Sequence, residues 1–254
     1  MANKVVRLPV VNGLGQTLRK DNWWVGPLVT FLVLSSFIVY ATFRAFENKY
    51  FRIGDTYLSP VYSPFIDTSG LGIPYLTPAM LILPFPGLFR FTCYYYRKAY
   101  YRSFNMSPPG CAVGGRSAGS YNGERKLLIF QNLHRYAMYF ALLFLVFLWH
   151  DVFKAFWFNG KFGMGLGTLF IIANTTFLSL YTFSCHSFRH LVGGGVDSYS
   201  EAPLGMLRHQ TWKLVSRLNM NHMAFAWISL IGVMACDFYI RQLAAGAWTD
   251  IRFF

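Results

Sequence analysis

The sequence predicts an all-α membrane protein, a single five-transmembrane-helix bundle that takes up residues 1–254 as one membrane-anchor domain. Composition is the first reason: 54% of the residues are hydrophobic and 13% charged, about half the charge of an ordinary soluble domain. The second is length, because several apolar stretches approach the roughly 20 residues that a helix needs to cross a bilayer core. The third is the Trp23-Trp24 pair opening the first stretch, since Trp and Tyr gather where lipid meets water.

Taken in order, the spans cover about 23–43, 75–96, 127–150, 168–189 and 222–243. Before the first, Lys4, Arg7, Arg19 and Lys20 flank no short apolar core with a small-residue cleavage site, so no secretory signal is expected. The second span contains Pro78, Pro84 and Pro86, each of which removes a backbone donor and must kink or unwind the helix. A basic loop follows, with Arg97, Lys98, Arg102, Cys111, Arg116, Arg125 and Lys126. The third span ends near Trp149-His150, and a turn rich in glycine (Gly160, Gly163, Gly165, Gly167) leads to the fourth. A second polar loop with Arg208, Lys213 and Arg217 precedes the fifth. No internal repeat or second domain is visible.

Orientation follows from the basic residues. Fourteen Lys and Arg lie in the N-terminus and the loops after spans two and four, against seven on the other side. Cytoplasmic segments collect such residues, so the N-terminus is expected inside and the C-terminus outside. The net charge of +13 is thereby explained by topology, and no nucleic-acid partner is inferred.

The chemistry-bearing residues gather at the cytoplasmic level. Cys93 closes span two, Cys111 lies in the next loop, and His134 opens span three. Cys185, His186 and His190 close span four, and His222 opens span five. His150 lies at the opposite end, Cys236 deep in span five, and His209 in the cytoplasmic loop. A single buried Cys commonly serves as a small hydrophobe, and a single interfacial His as a hydrogen-bond donor. Convergence of seven at one level points to a metal or redox centre. A bis-His haem b could use His134 with His190 or His222, but it leaves the cysteines unexplained. Two thiolates with two imidazoles suit a Rieske-type [2Fe–2S] cluster, or zinc.

Three segments carry a resemblance: Thr92 to Phe104 (TCYYYRKAYYRSF), Gln131 to Tyr136 (QNLHRY) and Ser179 to Gly194 (SLYTFSCHSFRHLVGG). With Asn219 to Met223 (NMNHM) and the terminal Arg252-Phe253-Phe254, they resemble the single-chain, cytochrome b-like membrane anchor of mycobacterial-type succinate dehydrogenase, a respiratory complex II. The resemblance implies partnership with a flavoprotein subunit and an iron–sulfur subunit, in the plasma membrane, and leaves room for a higher oligomer of complexes. It also implies a membrane-embedded Rieske-type cluster held by two Cys and two His, with Cys93, Cys111, His134, Cys185, His186 and His190 competing for the four places. The chain itself carries no flavin motif, dinucleotide loop or dicarboxylate site, so no complete active site is expected in it.

A quinone needs an apolar slot with one or two donors. Tyr94, Tyr95, Arg97, Arg135, His222 and Trp227 stand at a suitable depth. Asp237 is an acid inside span five, and its neighbour Arg241 four residues on suggests an ion pair on the helix surface. A rival reading, a small transporter with a broken second helix, is disfavoured by the scarcity of acids in the spans and the lack of repeat symmetry.

Overall fold

The computed structural model describes residues 13–116 and 127–254; the basic residues Lys4, Arg7, Arg125 and Lys126 lie outside the described residues. Helix α1 (Val25–Glu47) starts directly after Trp24 and ends at Asn48, which turns the chain in the left-handed conformation with φ 50°. A small antiparallel hairpin, β1 (Arg52–Ile53) with β2 (Tyr57–Leu58), then leads to one 3-10 turn at Pro60–Tyr62.

The expected second span is broken into three pieces: α2 (Pro78–Ile82), α3 (Pro84–Thr92) and α4 (Tyr94–Ser103). Pro84 and Pro86 have no amide to give to the preceding turn, and Cys93 leaves the helix altogether with ψ 130°. Together α2 and α3 rise about 22 Å at 1.5 Å per residue, so neither piece is by itself a spanning helix.

The remaining helices are α5 (Leu127–Lys154), α6 (Leu166–Phe183), α7 (His186–Gly193), α8 (Gly205–Asn219) and α9 (His222–Ala244). Between α5 and α6 the glycine-rich turn forms a hairpin, β3 (Trp157–Phe158) with β4 (Lys161–Phe162). Among the described residues four helices, α1, α5, α6 and α9, are long and apolar enough to span a membrane, so the protein is integral to it. The fourth span ends at Phe183 and not near Arg189, because Ser184-Cys185 interrupts the helix. His186 and His190 therefore belong to a separate short helix.

Helix α9 packs on α6, α5 on α3 and α6, and α1 on α2, α4 and α9. Only 6% of the apolar window of α1 is buried, which places that helix at the edge of the bundle. The hairpin end is closed by polar contacts. Tyr57 and Tyr239 donate to the two Asp250 carboxylate oxygens at 2.7 and 2.9 Å, and the Gly167 amide donates to Asp250 at 3.0 Å. A Cβ on Gly165 would stand 2.3 Å from that carboxylate, so this approach requires glycine.

Asp237 and Arg241 do form an ion pair, at 2.8 Å, but it is buried and not on a helix surface. Tyr40 donates to Asp237 at 2.6 Å, Ser59 also donates to it, and Arg241 reaches Glu47 at 3.1 Å. A carboxylate in this position is tolerated because Tyr40, Ser59 and Arg241 all give it hydrogen bonds. The pair ties α9 to α1 and to the loop carrying Ser59.

Candidate functional site

The opposite end of the bundle is shaped by two matching helix breaks. Cys93 stands between α3 and α4 with φ −63° and ψ 130°; Cys185 stands between α6 and α7 with φ −64° and ψ 142°. The amide of each falls back on a carbonyl three residues earlier, Arg90 or Thr182, at 3.2 Å in both cases. Each cysteine then caps the N-terminus of the next helix, and the Ser187 amide donates to the Cys185 sulfur at 3.4 Å. Both cysteines are buried.

Two histidines meet these sulfurs. His134 of α5 brings its Nε2 to 3.1 Å from Cys185 Sγ, and His222, the first residue of α9, brings its Nε2 to 3.6 Å from Cys93 Sγ. The other ring nitrogens point to one tautomer. Nδ1 of His134 lies 2.9 Å from the Thr92 hydroxyl, whose single hydrogen is already given to the Leu88 carbonyl at 2.7 Å. Nδ1 of His222 lies 2.7 Å from the Ser184 hydroxyl, which donates to the Tyr181 carbonyl at 3.1 Å. With the hydroxyl hydrogens on those carbonyls, each hydroxyl oxygen accepts from Nδ1–H, which leaves the Nε2 lone pair facing a sulfur. A second hydrogen bond that fixes the tautomer and aim of an imidazole is the usual support of a metal-ligating histidine.

The arrangement is crossed. Thr92 precedes Cys93 yet holds the histidine that faces Cys185; Ser184 precedes Cys185 yet holds the one that faces Cys93. Each imidazole also stacks on an aromatic ring, Phe89 on His134 at 4.7 Å and Tyr181 on His222 at 5.0 Å. Four backbone segments thus converge with two thiols and two neutral imidazoles, the mixed donor set expected of a sulfur–nitrogen metal centre. Among the described residues no three of His, Cys, Asp and Glu converge on the position of one metal ion. The donors are grouped in two Cys–His pairs around a cavity of about 460 Å³.

That cavity gathers five of the six residues expected as ligands: Cys93, His134, Cys185, His186 and His190. Cys111 is elsewhere, exposed, with its carbonyl bound by Arg19 at 3.0 Å. Of the residues expected at a quinone, Tyr94, Tyr95, Arg97, Arg135 and His222 line the same cavity. Trp227 instead packs on Tyr96, 5.7 Å between ring centres. Sequence reasoning places His222 among quinone contacts and passes over Thr92 and Ser184. The signal for them is present, since each is a hydroxyl residue directly before a cysteine that closes a helix.

The family described as actinobacterial succinate dehydrogenase subunit SdhC matches residues 25–246. The chain belongs to that family. In fold, this SdhC is similar to a chain of the solved Mycobacterium smegmatis Sdh1 complex in the apo form. The two share 41% identity and a TM-score of 0.85, over 100% of this chain and 98% of that one. No curated protein matches the chain. An SdhC is the membrane anchor subunit of succinate dehydrogenase, and the apolar helices of this one accord with that role.

Proposed function

We propose that this SdhC passes electrons from an iron–sulfur subunit to quinone through a Rieske-type [2Fe–2S] cluster held by Cys93, Cys185, His134 and His222. The observation that carries the reading is the crossed pair of Cys–His contacts, each imidazole locked by a hydroxyl with its Nε2 lone pair toward a thiol. A donor set of two thiolates and two neutral imidazoles fits such a cluster. His186, His190 and Cys111 then fall outside the ligand set.

Bound there, the cluster would supply a one-electron carrier inside the bundle, with a potential raised by its histidines. The residues of the chain do the rest. Thr92 and Ser184 hold the imidazoles in one tautomer. Phe89, Tyr181 and the surrounding helices keep water away, which lowers the local dielectric. In the assembled enzyme succinate becomes fumarate with release of two electrons and two protons, and quinone takes up two of each to form quinol. A single haem b at His134 and His222 would leave both thiols without a role.

The partners in this reading are a flavoprotein and an iron–sulfur subunit, docked on the basic cytoplasmic face. The similar Mycobacterium smegmatis chain is itself part of an Sdh1 complex, which supports a multi-subunit assembly here. We count the broken α2–α3 segment as a fifth crossing. Thr77 at its start donates to Ala45 near the end of α1 at 2.7 Å, while its end, Cys93, faces His222. Five crossings put the N-terminus in the cytoplasm and the C-terminus outside. Low-temperature paramagnetic resonance and an optical spectrum of the purified complex test the cofactor. A reduced signal whose average g lies below that of all-cysteine clusters, and so distinct from the signals of the iron–sulfur subunit, supports the proposal; its absence, or a sharp haem alpha band in its place, overturns it.

A further inference from the structure

The Trp23-Trp24 pair that opens α1 takes no part in the site described above. It lines a separate cavity of about 440 Å³, together with Leu28 and Phe31 of α1 and with Ser103 and Phe104 where α4 ends. Two segments far apart in sequence are tied together to frame this hollow. The Gly15 amide donates to the Gly114 carbonyl at 2.9 Å, the Gly114 amide to Gln16 at 2.8 Å, and the Thr17 hydroxyl to Ala112 at 2.7 Å. Phe31 and Phe104 meet across one wall, 4.9 Å between ring centres. The walls are apolar, but one buried donor stands among them. Ser103 is 6% exposed, and its Oγ has no hydrogen-bond partner among the described residues. A serine in a helix ordinarily spends its hydroxyl on a carbonyl of its own preceding turn, so this one is left for a ligand. Charge around the cavity is one-sided as well. Residues 13–31 and 102–116 carry Arg19, Lys20, Arg102 and Arg116 against the single acid Asp21, which Arg19 already holds at 2.8 Å.

We propose that this cavity binds an anionic phospholipid of the adjoining leaflet, with an acyl chain between Trp24, Leu28 and Phe104, an ester carbonyl at Ser103, and the headgroup phosphate near Lys20 and Arg102. A glycerophospholipid is the one membrane component that supplies all three parts: a long apolar chain, a carbonyl acceptor just beyond it, and an anion at the water boundary. Trp side chains gather at the depth of the headgroups, which is where the carbonyl and phosphate of such a lipid lie. Basic residues at that level attract anionic headgroups. The chain can enter from the bilayer, because Trp24 and Leu28 are 50% and 44% exposed at the cavity mouth. A free phosphate would answer the charges and leave the apolar walls empty. A neutral lipid or a detergent would fill the walls and gain nothing from the charges. None of these contacts involves the proposed cluster or its ligands, so the lipid site stands whether or not a cluster is present.

The test uses the whole assembled complex, freed of bound lipid in detergent. It is exposed to a phosphatidylglycerol carrying a diazirine in one acyl chain, illuminated, and the labelled peptides are sequenced. Label is expected on residues 23–31 or 103–109, and plain phosphatidylglycerol should compete at about tenfold lower concentration than phosphatidylcholine. In the double variant Lys20→Gln with Arg102→Gln that preference should vanish. In Leu28→Trp, which fills the cavity, the label should be lost, with assembly checked by succinate oxidation using a soluble acceptor. Label only elsewhere, equal competition by phosphatidylcholine in the unaltered complex, or competition by inorganic phosphate alone overturns the site. If a soluble subunit covers the cavity, the intact complex takes no label there and the proposal falls as well. If Leu28→Trp fails to assemble, the unaltered complex and the Lys20, Arg102 variant decide.

Discussion

Thr92→Val removes one atom that the account makes important and leaves the shape of the side chain. The Nδ1–H of His134 then points at a methyl group in a buried site, where it had an acceptor at 2.9 Å. Leaving such a donor unpaired costs about 1–3 kcal/mol. Loss of a partner that orients a metal-ligating histidine typically costs 10–100-fold in metal affinity or activity, the same range at about 1.4 kcal/mol per tenfold. The second bond lost, from Thr92 to Leu88, lies within α3, where the carbonyl keeps its helical partner. Iron per complex, followed over time against a chelator, should fall faster in Thr92→Val by about tenfold or more. Thr92→Ser, which restores the oxygen, should recover the original rate. Equal iron retention in the native chain and the valine variant would refute the proposed role of this hydroxyl.

The mirror variant, Ser184→Ala, should behave alike through His222, and the double variant should be worse than either, as measured by the same chelator challenge. Cys111→Ser should leave cluster signal and quinone reduction unchanged, since that thiol is exposed and outside the cavity; a lost signal would return Cys111 to the ligand set. Asp237→Leu should lower the unfolding temperature of the complex in detergent, because Arg241 then keeps Glu47 and the Lys49 carbonyl but loses its buried carboxylate, and a broken buried pair costs about 3–5 kcal/mol. A reporter fused after Phe254 should be exported while one inserted near Gly115 should stay inside; finding both on one side would remove the fifth crossing.

Much of this is legible in the chain. The spans ending at Phe43 and Leu243 follow from apolar length, and the gathering of Cys and His at one end follows from topology alone. The break after Phe183 is not legible, because an apolar run with well-spaced histidines reads as one helix until Ser184-Cys185 is seen to turn the backbone. That error gives His186 and His190 a shared face on a spanning helix that they do not have. His222 is legible as a member of the cluster but its contact with Cys93 is not, since which imidazole faces which sulfur depends on tertiary crossing of four segments. Thr92 and Ser184 escape notice because hydroxyls within apolar helices ordinarily bond their own backbone, and here they do that and accept from a histidine as well. The Asp237–Arg241 pair is visible from spacing, but its burial comes from the Tyr40 and Ser59 partners, distant in sequence.

The central claim is the identity of the ligands, and one comparison tests it most directly. The complex is purified with His134→Ala and His222→Ala together, and separately with His186→Ala and His190→Ala, and each is reduced and examined by low-temperature paramagnetic resonance. The histidine-ligated signal, with an average g below that of all-cysteine clusters, should disappear in the first and persist in the second, while signals from the soluble iron–sulfur subunit remain in both. A signal that survives loss of His134 and His222, or that vanishes only with His186 and His190, would contradict it.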